Sequence, residues 1–124
     1  MSAKVLVVDD SSLARRTMKQ NLEALGHSVE VADGERALEL ASVDKPDIVM
    51  LDMVMDGMGG LEVLAKMKEM YSDIRVVIAT ADIQKSTCDE VKQAGAKGML
   101  NKPVDREKLA AAIETVLKGG ESWN

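Results

Sequence analysis

Phenylalanine is absent from the chain, and its aromatic residues are Tyr71 and Trp123. A core assembled without phenylalanine has to be aliphatic, filled out by nine methionines whose unbranched thioethers adapt to irregular space. Cysteine occurs once, at Cys88, which excludes an internal disulfide and a cysteine-based zinc site. Histidine also occurs once, in the turn-like Gly26-His27-Ser28, so multi-histidine metal chemistry is excluded. His27 reads as a solvated loop residue rather than as the base of a Ser-His-Asp triad. There is no basic excess: 16 Lys and Arg stand against 21 Asp and Glu, a net charge of −5, which argues against a general nucleic-acid binder. Long apolar runs are missing too. The first, Val5–Val8, is too short for a signal-peptide core or a membrane span, so a cytoplasmic protein with no membrane partner is expected.

What remains is an ordinary soluble composition, 46% apolar and 30% charged, over 124 residues, the size of one domain. Five short apolar runs recur: Val5–Val8, Val29–Val31, Ile48–Leu51, Val76–Ala79 and Gly98–Leu100. The first, third and fourth are continuous and rich in Val and Ile, as strands buried on both faces are. The second and fifth are weaker, which suits edge strands. Helical spacings lie between and after them. Ala14, Met18, Leu22 and Leu25 share a face and stop at Gly26; Ala37, Leu38 and Ala41 end before Pro46. Leu61, Leu64 and Met67 mark a third helix, Ile83, Thr87, Val91 and Ala94 a fourth that stops at Gly95. Leu109, Ala112, Ile113, Val116 and Leu117 mark a fifth, with Asp105 as its N-cap. Strand and helix thus alternate five times. That pattern predicts an α/β fold, a doubly wound five-stranded parallel sheet with helices on both faces. The segment Gly119-Gly120-Glu121-Ser122 reads as a fraying end.

In open α/β sheets, ligands bind beyond the carboxyl ends of the strands. The first run is followed by Asp9-Asp10, the third by Asp52, the fourth by Thr80 and the fifth by Lys102-Pro103. Three carboxylates, a hydroxyl and an ammonium are thereby delivered to one rim. Carboxylates about 4 Å apart repel by about 4 kcal/mol per pair at an effective dielectric of about 20. Lys102 offsets only part of that, and a hard divalent cation would offset the rest. Mg²⁺ suits carboxylate ligands and takes phosphate oxygens as further ligands. A phosphoryl group arriving here would meet the parts that phosphoryl transfer uses, and Asp52, on the central strand, is the natural nucleophile for an aspartyl-phosphate.

The runs Val5-Leu-Val-Val-Asp-Asp-Ser-Ser, Leu51-Asp52-Met-Val-Met with Gly60, Ala79-Thr80-Ala81 and Lys102-Pro103 together resemble the response-regulator receiver domain. Asp9-Asp10-Ser-Ser-Leu-Ala-Arg15-Arg16 is similar to chemotaxis-type, CheY-like receivers in particular. The resemblance covers essentially the whole chain and implies the flavodoxin-like strand order 2-1-3-4-5. It implies that Asp52 takes a phosphoryl group from a phosphohistidine on a chemotaxis-type sensor histidine kinase. Asp10, Asp52 and the backbone carbonyl of Val54 would ligate Mg²⁺ directly, with Asp9 acting through water. Lys102 would pair with the phosphoryl oxygens, Thr80 would donate its hydroxyl to them, the Ala81 amide would bind the same group, and the Lys102–Pro103 bond would be cis. The output would be a switch at the face of the fourth helix, fifth strand and fifth helix, with the flagellar motor switch protein as target. A chain of this length is expected to be a stand-alone, monomeric regulator, a phosphoacceptor rather than an enzyme.

Three places depart from the usual pattern. Met99 stands where a switch aromatic is usual, and Asp56, in Asp56-Gly57-Met58-Gly59-Gly60, stands where a proline is usual. Val54 has no polar group to orient a water, which predicts slow self-dephosphorylation; two after the threonine stands the acidic Asp82. Rival readings are a pseudo-receiver that binds partners constitutively, a phosphorelay intermediate or non-motility regulator, an aspartate-nucleophile phosphohydrolase, which would show Asp-x-Asp after the first strand, and an FMN carrier, whose phosphate Asp9 and Asp10 would repel. Met50, Met53, Met55 and Met58 read as packing around the acceptor, Cys88 as a small reduced residue, and Arg15-Arg16 as a solvated helix face.

Overall fold

The computed structural model of the chain describes residues 2–53, 55, 57–81 and 85–123. Val54, Asp56, Asp82 and Ile83 lie outside the described residues, and with them the readings made on those positions. The elements alternate: β1 (Lys4–Val8), α1 (Ser12–Ala24), β2 (Ser28–Ala32), α2 (Gly34–Val43), β3 (Ile48–Leu51), α3 (Gly60–Met70), β4 (Val76–Thr80), α4 (Lys85–Gln93), β5 (Gly98–Asn101) and α5 (Arg106–Leu117). All strand pairs are parallel and the order is β2-β1-β3-β4-β5, so the two weaker apolar runs are the edge strands. The Lys102–Pro103 peptide is cis.

Strand alternation sorts the core into two layers. Leu6, Val8, Val49, Leu51, Val76, Ile78 and Met99 point to the side covered by α2, α3 and α4, where they meet Ala37, Ala41, Val63, Leu64, Met67 and Val91. Val5, Val7, Ile48, Met50, Val77, Ala79 and Leu100 point to the side covered by α1 and α5, against Met18, Leu22, Leu109, Ala112, Ile113 and Val116. Met18, Met50, Met67 and Met99 are buried, in place of the absent phenylalanine. Helix ends follow their side chains. Ser11 caps α1 by accepting from the Ala14 amide, Asp33 caps α2 by accepting from Arg36, and Asp105 caps α5 by accepting from Glu107.

Two expectations need correction. His27 is not a free loop residue: it is half-buried, and its Nδ1 accepts the Ala3 amide at 3.1 Å, closing the start of β1 onto the turn before β2. The glycine-rich segment after α5 does not fray. Gly119, at φ +94°, turns the chain back, the Gly120 amide donates to the Thr115 carbonyl at 3.0 Å, and Ser122 forms a parallel bridge with Gly98 on the open edge of β5. Its glycines signal freedom in the sequence, whereas two of the hydrogen bonds that hold it join Ser122 to Lys97 and Met99, more than twenty residues away.

Candidate functional site at the carboxyl rim

The backbone ladders continue one residue past the strands, and that continuation builds the site. Val8 stands beside Leu51 in register, so Asp9 and Asp52 are the next neighbours. The Asp9 amide donates to the Ala32 carbonyl at 3.1 Å and the Asp52 amide to the Val8 carbonyl at 3.0 Å. On the other side, Thr80 pairs with Asn101 in register, and the Lys102 amide donates to the Thr80 carbonyl at 2.9 Å. Asp9, Asp52, Thr80 and Lys102 are therefore each set by the end of their own strand.

The side chains converge as their charges require. Carboxylate oxygens of Asp9, Asp10 and Asp52 all lie within 4.8 Å of one another. Lys102 Nζ is 2.6 Å from Asp9 Oδ2 and 3.4 Å from Asp52 Oδ2. Asp9 is buried, Asp52 nearly so, and Asp10 faces solvent. A hollow of about 20 Å³, floored by Val7, Met50 and Ala79, lies under Asp9, Asp52 and Lys102. Both oxygens of Asp9 already accept protein donors, Oδ1 from the Ser11 amide at 2.9 Å and Oδ2 from Lys102. An all-oxygen, anionic donor set with one solvent-facing member fits Mg²⁺. Thr80 is buried at the end of β4, and Ala81, just beyond it, is exposed.

Burial works against the Lys102 ammonium, but the Asp9 hydrogen bond and the charges of Asp52 and Asp9 outweigh it and hold its pKa above the ordinary lysine value. The ammonium thus keeps its charge to higher pH than an unpaired lysine does.

Arg15 corrects the reading of a solvated Arg15-Arg16 face. Arg16 is exposed, but Arg15 is half-buried and its Nη1 donates to the Asp9 backbone carbonyl at 2.6 Å. With the Ser11 amide on Asp9 Oδ1 and the Arg15 amide on the Ser11 carbonyl at 3.0 Å, the turn that carries Asp9 and Asp10 is tied at three points. Periodicity does not reveal a side chain that returns to its own loop; the only signal was an arginine one turn into a helix that follows two acids. Gly60 is a second position with a hidden role. A Cβ there would stand 2.6 Å from the Asp52 carbonyl oxygen and 2.7 Å from Met53 Cα, so the start of α3 packs directly on the Asp52 backbone. Beside the rim, an apolar groove of about 470 Å³ runs along α1, lined by Leu13, Ala14, Met18, Pro103 and Val104 and opening onto Ala81 and Lys102.

A doubly wound parallel sheet that brings three carboxylates and a lysine to one rim defines a class of phosphoryl-site proteins. Residues 5–114 match the response regulator receiver domain, and the chain belongs to that family, the receivers of two-component phosphorelays. It is 36% identical over 119 residues to Response regulator MprA of Mycolicibacterium vanbaalenii, covering 95% of this chain and 52% of that protein. The chain thus spans about half the length of such curated relatives. It is 34% identical to Sporulation initiation phosphotransferase F of Bacillus subtilis over 94% of this chain and 95% of that protein. The solved structure of chemotaxis protein CheY4 of Vibrio cholerae superposes with a TM-score of 0.85 at 32% identity, over 92% of this chain and 98% of that one. Among the described residues no helix is long and apolar enough to cross a membrane.

The raised pKa of Lys102 has a defined sign. A group whose folded-state pKa exceeds its unfolded value stabilises fully below the unfolded value, here 10.5, and loses that contribution as pH rises through the folded value. Lys102→Met should therefore cost on the order of 1 kcal/mol in metal-free protein, discounted for the exposure of the ammonium. The difference in urea midpoints from the unsubstituted chain should hold constant from pH 7 to about pH 10 and shrink above it; a difference that faded already between pH 7 and 9 would contradict the raised value.

Proposed function

We propose that the chain is a Mg²⁺-dependent phosphoacceptor, phosphorylated on Asp52, that works as a chemotaxis-type response regulator. The observation that carries this reading is the reach of Lys102 to both Asp9 and Asp52 within a cluster of three carboxylates. An Asp52 carboxylate oxygen attacks the phosphorus of a phosphohistidine, the P–N bond breaks, and the imidazole leaves with the electron pair and takes a proton from solvent. The product is an acyl phosphate. Asp10 and Asp52 would hold the Mg²⁺, with the Val54 carbonyl as a further ligand and Asp9 acting through water; bound there, the ion offsets charge on the phosphoryl oxygens. Lys102 exchanges a carboxylate for a phosphoryl oxygen, the Thr80 hydroxyl moves to the same group, and the Ala81 amide donates to it. The groove along α1 supplies an apolar seat for the helix that presents the phosphohistidine, since it opens onto Ala81 and Lys102. The chain serves as a cytoplasmic signalling acceptor rather than as a turnover enzyme, a reading supported by its membership of the receiver family.

The chemotaxis reading, with a flagellar motor switch protein as target of the α4–β5–α5 face, draws on the near end-to-end similarity to CheY4. A relay intermediate is favoured by the comparable similarity to the sporulation phosphotransferase. Protein locked by beryllofluoride and Mg²⁺ and used as bait should retain a motor switch protein; retention of a histidine phosphotransfer protein instead would select the relay. Incubation with acetyl phosphate and Mg²⁺ should add one phosphoryl group by intact mass, and Asp52→Asn or removal of Mg²⁺ with EDTA should reduce labelling at least about a hundredfold. Equal labelling of the Asn variant would refute the acceptor assignment. Because Val54 carries no hydrogen-bonding side chain, Val54→Asn should accelerate loss of the phosphoryl group by about tenfold, followed by phosphate release; decay at the original rate or slower would refute the role given to this position.

A further inference from the structure

The segment after α5 is built onto the molecule at more points than a passive tail needs. The Met99 amide donates to the Ser122 carbonyl at 3.0 Å, and the Ser122 amide donates to the Lys97 carbonyl at 2.9 Å. Gly98 accommodates the crossing, since a Cβ at that position would stand 2.5 Å from the Ser122 oxygen. Beyond it, the half-buried Trp123 packs against the core layer that contains Met99 and Val91, and Lys92 Nζ on α4 lies 4.8 Å from its ring centroid. The indole Nε1 donates to Glu121 at 2.7 Å, which fixes the ring's orientation. Residues 120–123 therefore grip two elements at once, β5 through backbone and α4 through the indole.

Those two elements lead away from the phosphoryl site. β5 runs from Gly98 and Met99 to Asn101, next to Lys102, whose ammonium joins Asp9 and Asp52. α4 is the next element after Thr80 and Ala81. We propose that residues 120–123 are a strap that holds α4 and β5 in the resting arrangement and lets go when the acceptor site is filled. The inference rests on the phosphoacceptor reading of Asp52. A phosphoryl group redirects Lys102 and Thr80, and any consequent shift of α4 against β5 is opposed by the segment that ties them. By reciprocity, loosening the strap must favour filling the site. The strap also places an aromatic ring on the flank where residue 99 is a methionine, so Trp123 becomes the residue that registers the state of this face.

Trp123 is the chain's one tryptophan, so its emission reports on the strap alone. The full chain would be compared in Mg²⁺ and in Mg²⁺ with beryllofluoride, with ¹⁹F NMR recording occupancy of the site. Occupancy should shift the emission to longer wavelength and lower the protection of the Met99 amide against hydrogen exchange by about tenfold. Trp123→Ala, remote from the carboxylates, should raise beryllofluoride affinity and the rate of labelling by acetyl phosphate about fivefold. Lys92→Met should act in the same direction and less strongly. Bound fluoride with unchanged emission and unchanged Met99 protection, or Trp123→Ala labelling at the original rate, would overturn the strap while leaving the acceptor reading intact. Absence of any bound fluoride signal in the unsubstituted chain would overturn the acceptor reading and the coupling together.

Discussion

Most of this structure is arranged around one electrostatic problem, the crowding of Asp9, Asp10 and Asp52 at the end of two neighbouring central strands. Register makes the crowding unavoidable, because Val8 and Leu51 are paired and the acids follow directly. The cation that answers it comes from beyond the far edge of the sheet, two strands away from β3 and three from β1. Only a long, flexible side chain turned back over the strand ends could reach both carboxylates, and Lys102 does so with its ammonium partly screened from water. Its buried position would disfavour the charge if the acids were absent. The acids would repel one another if the ammonium were absent. Each is stable there because of the other, and the remaining negative charge is of the kind that suits a divalent cation.

The rest of the fold keeps that rim stiff. The central strands β1, β3 and β4 are apolar on both faces, so helices cover the sheet on either side and leave the strand ends as the accessible polar edge. Without phenylalanine, methionine fills the middle of both layers, Met99 and Met67 on one side and Met50 and Met18 on the other. Flexible thioethers specify a packing less sharply than rings do. Positional precision at the site therefore rests on backbone ties, the strand ladders extended through Asp9, Asp52 and Lys102, the Arg15 contact to the Asp9 carbonyl, and the close seat of Gly60 on Asp52.

The features legible in the sequence are those with a period or a fixed place in the strand-to-loop order. Continuous Val/Ile runs mark the buried strands, the weaker runs mark the edges, and the polar residue after each run marks the rim. The convergence of Asp9, Asp10, Asp52, Thr80 and Lys102 at one end of the sheet follows from that order alone. Arg15, His27 and the segment around Ser122 are not legible in the sequence, for a common physical reason. Each is held by a backbone group, and a carbonyl or amide leaves no trace in the residue type that supplies it. Arg15 reaches the Asp9 carbonyl, His27 accepts the Ala3 amide, and Ser122 bridges Lys97 and Met99. Composition predicts burial and charge well; it is silent on which main-chain groups remain to be satisfied.

The two edges of the sheet show how that silence bears on function. β2 is largely exposed along its length, whereas β5 is buried except at Asn101 although it too is an edge. Met99 and Leu100 are buried in the two core layers, and the bridge to Ser122 with the indole behind it covers the outer edge of β5. Two backbone hydrogen bonds at about 0.5–1.5 kcal/mol each and a cation–π contact of about 0.5–1 kcal/mol amount to only a few kcal/mol before the entropy of ordering the segment is subtracted. That is comparable to the 1–3 kcal/mol typical of coupling between sites. A segment bound much more tightly would hold α4 and β5 in one arrangement whatever occupied the rim, and one bound much more weakly would bias neither. The strength read from the contacts lies where a modest change at Lys102 and Thr80 can decide whether the strap stays.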